Sequence, residues 1–213
     1  MKESTSREKI LKKVRNALLN KIDNPFKDVD FSSSVFINQE EVPEVQFAIK
    51  LNESGGTFIY CKNEKDVSSN IAALIKQNSW TNIFCNNTSI SEELLEYGIT
   101  TGSTPEEFKS VSVSVATCDF LISRFGSIMV SSGLGLGRQI FVFPETLIIV
   151  AKASQVVPEL KDALTGIKKK YLNNFPSQIT VITGPSRTAD IEKTLVMGAH
   201  GSKNLYVFLI DDM

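Results

Sequence analysis

The chain has 213 residues, of which 42% are hydrophobic and 22% charged, so it is long enough to bury one substantial core. Its 23 basic and 24 acidic residues give a net charge of −1, which disfavours a dedicated nucleic-acid binder because no strong field would steer the chain onto phosphate. The three cysteines lie far apart in apolar stretches, and there is a single histidine. Disulfides, an iron–sulfur or zinc site and a histidine-rich metal centre are therefore disfavoured, and no motif for a cofactor is evident.

The beginning of the chain predicts a basic amphipathic helix. From Ser4 to about Asn20, apolar residues recur at helical spacing while lysines and arginines fill the other face. A peripheral helix packed on its own domain is the preferred interpretation, and a docking arm for an acidic partner or a membrane surface is the alternative. The segment 23–43 shows no sustained periodicity and is interpreted as a linker. We therefore expect a helix and linker over 1–44, followed by an α/β domain over 45–213.

No apolar run approaches the roughly 18 to 20 residues of a membrane span, and the polar N-terminus is typical of a cytoplasmic protein.

After Pro43, short β-rich runs alternate with helical stretches, which predicts a Rossmann-like, open and mostly parallel α/β sheet with helices on both faces. An exception is the region 120–151, whose several predicted strands have no helix between them, so antiparallel strands or a β excursion are expected there. The predicted helices are 66–77, 91–97, 158–171 and 185–197. The predicted strands are 56–61, 82–85, 111–115, 120–122, 126–131, 140–143, 146–151, 178–183 and 204–211.

Ligands of open α/β sheets collect beyond the carboxyl ends of strands, which directs attention to the loop that begins near Gly184. This loop leaves a predicted strand and enters a predicted helix. Ser186, Arg187 and Thr188 there can bind phosphate or carboxylate at the helix N-terminus. The alternative is an ordinary helix start, in which a hydroxyl caps the helix and Asp190 complements its dipole.

Two further segments carry candidate groups. The glycine-rich stretch that ends at Arg138 can wrap a phosphate, although its spacing is not the dinucleotide fingerprint and a flexible connection between strands is the alternative. His200 lies between glycines after the last predicted helix and can serve as a general acid or base near neutral pH. A helix-terminating turn is the alternative for His200. Asp190 is the acidic candidate for catalysis.

A long, ordered part of the sequence resembles the carboxyl-terminal signature of the LUD-domain family. It comprises the segments Ile182 to Glu192, Val196 to Gly201 and the closing run Leu205 to Asp211. Weaker support comes from the small glycine turn at Gly126 and the later Arg138, which follow the family's order.

The resemblance implies a fold similar to the NagB/RpiA/CoA-transferase type and participation in oxidising L-lactate to pyruvate. Separate iron–sulfur subunits would be its partners, and this chain would be the subunit without its own cluster. The resemblance further implies that Arg138, Gly126 and the Gly184 loop hold a small anionic ligand. Two positions depart from the family pattern: Arg124 stands where many relatives have an acidic residue, and Leu147 stands where relatives often have a histidine.

Two other functions stay open. The chain is alternatively a stand-alone enzyme of the wider superfamily that acts on a phosphorylated sugar, a CoA ester or a folate-like substrate. It is alternatively a non-catalytic regulatory or scaffolding protein that uses the N-terminal helix for contact.

Overall fold

The chain divides into two units, Met1–Gln39 and Glu40–Met213. The computed structural model describes residues 5–19, 26, 28–30, 41–85, 87–102, 111–135, 137, 139–191 and 194–212. In the first unit, helix α1 (Ser6–Leu19) confirms the predicted N-terminal helix, and none of its residues is buried. Most of the predicted linker 23–43 lies outside the described residues.

The second unit is built from strands and helices that alternate over much of its length. Its described helices are α2 (Pro43–Glu53), α3 (Glu64–Gln77), α4 (Thr88–Glu96) and α5 (Leu160–Lys170). Its described strands are β1 (Thr57–Cys61), β2 (Ile83–Cys85), β3 (Thr101–Gly102), β4 (Val113–Thr117), β5 (Phe120–Ile122), β6 (Ser127–Ser131), β7 (Thr146–Lys152), β8 (Val156–Val157), β9 (Ile179–Ile182), β10 (Arg187–Ile191), β11 (Thr194–Met197) and β12 (Asn204–Ile210).

Six of the described strands form a parallel sheet in the order β1, β12, β7, β4, β2, β3. Successive side chains of a strand point to opposite faces of the sheet, so the residues of β7 alternate between two cores. Ile148 and Val150 join a core with α3 and α4, whereas Leu147 and Ile149 join a core on the other face. Burial on both faces explains why β7 and β12 are continuous apolar runs, and the predicted mostly parallel α/β sheet is confirmed.

A smaller sheet covers part of the second face of the parallel sheet. Its order is β8, β5, β6, β9, and β6 runs antiparallel to both β5 and β9. Leu121, Ile128 and Val130 of this sheet share a core with Leu147 of the parallel sheet. The antiparallel excursion expected within 120–151 is confirmed. The predicted strand 178–183, observed as β9, departs from the expected parallel arrangement because it pairs antiparallel with β6.

Helix α2 was not predicted and also belongs to this second face. Pro43 lies at its first turn, where a missing N–H costs nothing. Phe47 and Leu51 are one turn apart and fully buried. The helical spacing of Phe47 and Leu51 was the sequence signal for this helix, but Pro43 was interpreted as the end of a linker.

The predicted helix 185–197 was wrong. The segment forms an antiparallel hairpin of β10 and β11 with an irregular register between Thr188 and Ile191. Thr188, Ile191, Thr194 and Val196 are β-branched and favour strands, whereas the hydroxyl and acidic residues that suggested a helix start are compatible with both structures. Because the segment is a hairpin, it does not provide the helix N-terminus that was expected to bind an anion.

Two smaller predictions also changed. The predicted strand 140–143 is a 3-10 turn over Gln139–Phe141. Ile140 and Phe141 are buried without strand pairing, and Val142 and Phe143, which are exposed, donate their N–H groups back to the carbonyl of Gln139. Helix α4 begins at Thr88, earlier than the predicted range 91–97, and Asn87 caps it by accepting a hydrogen bond from the backbone N–H of Ile90.

Within the described residues, no helix combines the length and the apolar character needed to cross a membrane.

Candidate functional site

A cavity of about 490 Å³ lies where the parallel sheet and the smaller sheet of the second unit meet. Leu147 and Leu205, at the amino ends of the parallel strands β7 and β12, form part of its wall. The carboxyl end of β9 and the loop after it form another part. The cavity therefore opens at the edge of the parallel sheet opposite to the one that the strand-end rule favours.

Gly184 packs the loop after β9 against the end of α2. Its φ of +73° is in the left-handed region, and a Cβ atom there would lie 2.5 Å from the carbonyl oxygen of Ser54. Glycine is thus required for both the backbone conformation and the close approach. The close backbone approach at Gly184 is thus made to the protein's own chain, and the residue also lines the cavity.

Arg187 begins β10 and is held at the cavity by the same carbonyl. Its Nη2 atom donates a hydrogen bond of 2.7 Å to the carbonyl oxygen of Ser54. The guanidinium passes over Gly55, where a Cβ atom would lie 2.2 Å from Nη2. A guanidinium carries five N–H donors, so this single bond orients the group and leaves donors for an anion. Arg187 is exposed on its outer side, so a ligand can reach it from solvent.

Ser186 connects the two loops that bring polar groups to the cavity. Its backbone N–H donates to the carbonyl of Ser202, and its own carbonyl accepts from the N–H of Gly198, at 2.9 and 3.0 Å. Its hydroxyl oxygen accepts a bond of 3.3 Å from the backbone N–H of His200. These three bonds place His200 on the cavity wall beside Ser186 and Arg187.

Ser202 is a polar residue of the cavity that sequence reasoning missed. It is 7% exposed, and its hydroxyl has no hydrogen-bond partner among the described residues. Burying an unpaired hydroxyl costs free energy, so such a group beside a cavity is suited to a ligand. Its position two residues after His200 was the only sequence signal.

The described lining of the cavity suits an anion. It contains the cationic Arg187, the imidazole of His200 and hydroxyls, and no aspartate or glutamate is among its described residues. Phe141, Leu147 and Leu205 provide an apolar wall. The combination favours a ligand with a negatively charged end and a less polar body.

The other predicted site residues are not brought to this cavity by the described structure. Thr188 pairs with Val196 inside the hairpin and is not part of the described lining. Asp190 lies in β10, but its side chain is outside the described part of the chain. Arg138 lies outside the described residues.

Gly126 contacts α2. It ends a 3-10 turn with φ +60°, and a Cβ atom would lie 2.2 Å from the backbone nitrogen of Leu51. Its glycine is therefore required by packing, whatever else binds nearby.

The two departures from the family pattern have distinct surroundings. The Nε and Nη2 atoms of Arg124 donate to Oε1 of Glu159 at 2.6 and 2.5 Å, so the positive charge has an acidic partner on the chain. Leu147 is buried in the apolar wall of the cavity, where a histidine would have added a polar group.

The three cysteines are buried and unpaired within the described structure. Burial raises the pKa of Cys85 to about 11, although a hydrogen bond to the carbonyl of Asn87 opposes the shift. Among the described residues, histidine, cysteine and acidic side chains do not gather in any group of three that would suit a metal ion.

Sequence comparison with known proteins identifies relatives of this chain. Lactate utilization protein C of Geobacillus sp. (strain WCH70) is 34% identical over 106 residues, which cover 48% of this chain and 44% of that protein. Lactate utilization protein C of Bacillus subtilis (strain 168) is 31% identical over 106 residues, covering 49% and 44%. The matched region thus spans less than half the length of these curated relatives.

A solved structure has the same fold. The DUF162 family protein from Deinococcus radiodurans superposes with a TM-score of 0.57, covering 79% of this chain and 96% of that one at 16% identity. At this identity the likeness concerns the fold alone. The family model for the LUD domain matches residues 100–210, which is more than half of the chain, and the chain therefore belongs to the LUD domain family.

Proposed function

We propose that this chain is a subunit, without its own iron–sulfur cluster, of a cytoplasmic system that oxidises L-lactate to pyruvate. Residues 45–213 would be the LUD-type domain, and residues 1–44 an appended arm. The observation that carries the proposal is the meeting of Ser186, Arg187 and His200 at one cavity whose described lining has no carboxylate. The relatives named lactate utilization protein C give the system in which such an anion site would act.

The polar side chains of the cavity have separate roles in the proposed reaction. The guanidinium of Arg187, oriented by Ser54, binds the carboxylate of lactate or pyruvate through its remaining N–H donors. The hydroxyls of Ser186 and Ser202 orient the ligand. His200 accepts the hydroxyl proton of lactate. As the C=O bond of pyruvate forms, the Cα–H bond breaks, and its proton and two electrons pass to redox acceptors of the separate cluster-bearing subunits.

Ligand binding tests the anion site directly. We expect L-lactate and pyruvate to raise the melting temperature of the chain, as any ligand of the folded state does. Arg187→Ala should weaken binding by about tenfold to a hundredfold, because a hydrogen bond to a charged group contributes about 1.5–3 kcal/mol. Lys168→Ala, which removes an exposed cation from the last turn of α5, is the matched control and should bind normally. Equal binding by both variants would contradict the site.

The system is tested in cells. Deletion of the gene should impair growth on L-lactate, and the wild-type chain should restore it while Arg187→Ala restores it poorly. The tagged chain should co-purify with subunits that contain iron–sulfur clusters. Normal lactate oxidation after deletion, together with no cluster-bearing partner, would refute the assignment.

One observation favours a second candidate function. The cavity of about 490 Å³ lies within the range of about 300–1,000 Å³ common for sites of larger ligands, and lactate would leave much of it unfilled. A stand-alone enzyme acting on a phosphorylated sugar, a CoA ester or a folate-like substrate would use this volume better. Stabilisation by such compounds that depends on Arg187, with none by lactate, would support this candidate.

A further inference from the structure

Helix α1 is strongly positive, whereas the rest of the chain is negative overall. It contains five basic residues and one acidic residue, giving it a net charge of +4, so the remaining residues carry −5 of the total of −1. The net charge of the whole protein is near zero because the basic helix and the acidic remainder nearly cancel. The basic residues are Arg7, Lys9, Lys12, Lys13 and Arg15.

Four apolar residues of α1 form a stripe. At 100° per residue, Ile10, Leu11, Val14 and Leu18 fall within an arc of about 100°. By the same geometry, Arg7 enters this arc in the first turn, and Leu19 falls outside it at the end of the helix. All four are more than half exposed. Water-exposed leucine, isoleucine and valine in a contiguous stripe are uncommon on a surface that remains uncovered.

Basic side chains border this apolar stripe on both sides. By the same helical geometry, Lys13 flanks one edge and Arg15 the other, and Lys9 and Lys12 lie on the face between them. Long basic side chains at the edges of an apolar stripe can extend sideways into a layer of phosphates while the stripe enters the apolar layer below. The only acid in the helix, Glu8, is in its first turn.

We propose that α1 is a membrane-surface helix that lies flat on an anionic lipid bilayer and anchors the chain there reversibly. The apolar stripe enters the boundary between headgroups and acyl chains, and the basic face binds lipid phosphates. Charge complementarity decides between the possible occupants: a bilayer of anionic lipid offers phosphate along both edges of the stripe at once. The proposal does not depend on lactate binding, so either can fail without the other.

Flotation of the full-length chain with vesicles tests this proposal. Protein should float with vesicles of phosphatidylglycerol and phosphatidylcholine, should not float with phosphatidylcholine alone, and should be released at high salt, where charges are screened. Lys9→Gln/Lys13→Gln should reduce binding about 25-fold, since each basic residue near the surface contributes about fivefold. Lys168→Gln/Lys169→Gln removes the same charge from the exposed end of α5 and should bind like the wild type.

A second variant isolates the apolar stripe. Val14→Asp/Leu18→Asp should abolish flotation while the circular dichroism and thermal unfolding of the α/β unit stay unchanged. Equal losses for the α5 control, or binding that survives the stripe variant, would mean general electrostatic adsorption and would overturn the proposal. Failure of the wild type to float, with α1-dependent capture on polyglutamate beads, would assign the helix to an acidic protein partner instead.

Discussion

The variant Gly126→Ala tests how much the close contact between the turn at Gly126 and helix α2 contributes to the free energy of unfolding. The native φ of +60° is left-handed, which costs an alanine about 1–2 kcal/mol. The new Cβ would also lie 2.2 Å from the nitrogen of Leu51 and 2.4 Å from the carbonyl carbon of Lys50. Because these are backbone atoms of a helix, no rotamer change relieves the clash, and overpacking adds about 1–3 kcal/mol. The expected loss in the free energy of unfolding is therefore about 2–5 kcal/mol.

The matched control is Gly98→Ala. Gly98 also has a positive φ, +76°, but a Cβ there meets no described atom within 4 Å. Its loss should be limited to about 1–2 kcal/mol from the backbone conformation. Guanidinium unfolding, followed by far-ultraviolet circular dichroism, gives both values. Equal losses would refute the clash with α2. A weaker affinity for anions in folded Gly126→Ala would instead return Gly126 to the ligand site.

Three further predictions concern pH, thiol chemistry and an ion pair. Burial lowers the pKa of Lys170, but the hydrogen bond and charge of Asp119, together with Tyr171, outweigh burial and leave this pKa raised. Burial is the main cause of the raised pKa of Tyr171. Both groups keep their protons to higher pH in the folded state, so their contribution to stability should be constant below about pH 10 and fall as the pH rises beyond it. Stability that rises there in urea titrations would contradict this sign. Cys85, with its pKa raised to about 11, should react with iodoacetamide far more slowly in the native state than in urea, and equal rates measured by mass spectrometry would show that it is accessible. In a double-mutant cycle, the separate stability losses of Arg124→Ala and Glu159→Ala should sum to more than the loss of the double variant, because the two side chains form an ion pair. Additive losses would show that the pair is not coupled.

The local sequence pattern was sufficient to predict elements that are buried on both faces, or that bury one face at regular spacing. The apolar runs of β7 and β12 can be stable only where both faces are covered, which predicts the interior of a parallel sheet. Helix α3 has its buried residues at helical spacing, and Asn63 caps it. The absence of a helix between β5 and β6 was likewise visible, and it predicted antiparallel pairing.

Local pattern failed where two structures satisfy the same residues. The segment of β10 and β11 carries hydroxyl and acidic residues that suit a helix start, together with β-branched residues that suit a strand. Ser186, just before β10, donates its backbone N–H to the carbonyl of Ser202, and no local pattern anticipates this bond. The pairing of β10 with β11, rather than the residue types of the segment, distinguishes the hairpin from a helix.

The sequence by itself determined the class of fold, the family and the identities of Ser186, Arg187 and His200 as candidate ligands, because these follow from local periodicity and an ordered signature. Only the tertiary structure decided that the three line one cavity, that the cavity lies at the amino ends of β7 and β12, and that Ser202 belongs to it. The physical reason is that a cavity forms where elements distant in the chain meet. Arg187 is oriented by the carbonyl of Ser54, 133 residues away, and no local pattern encodes that bond.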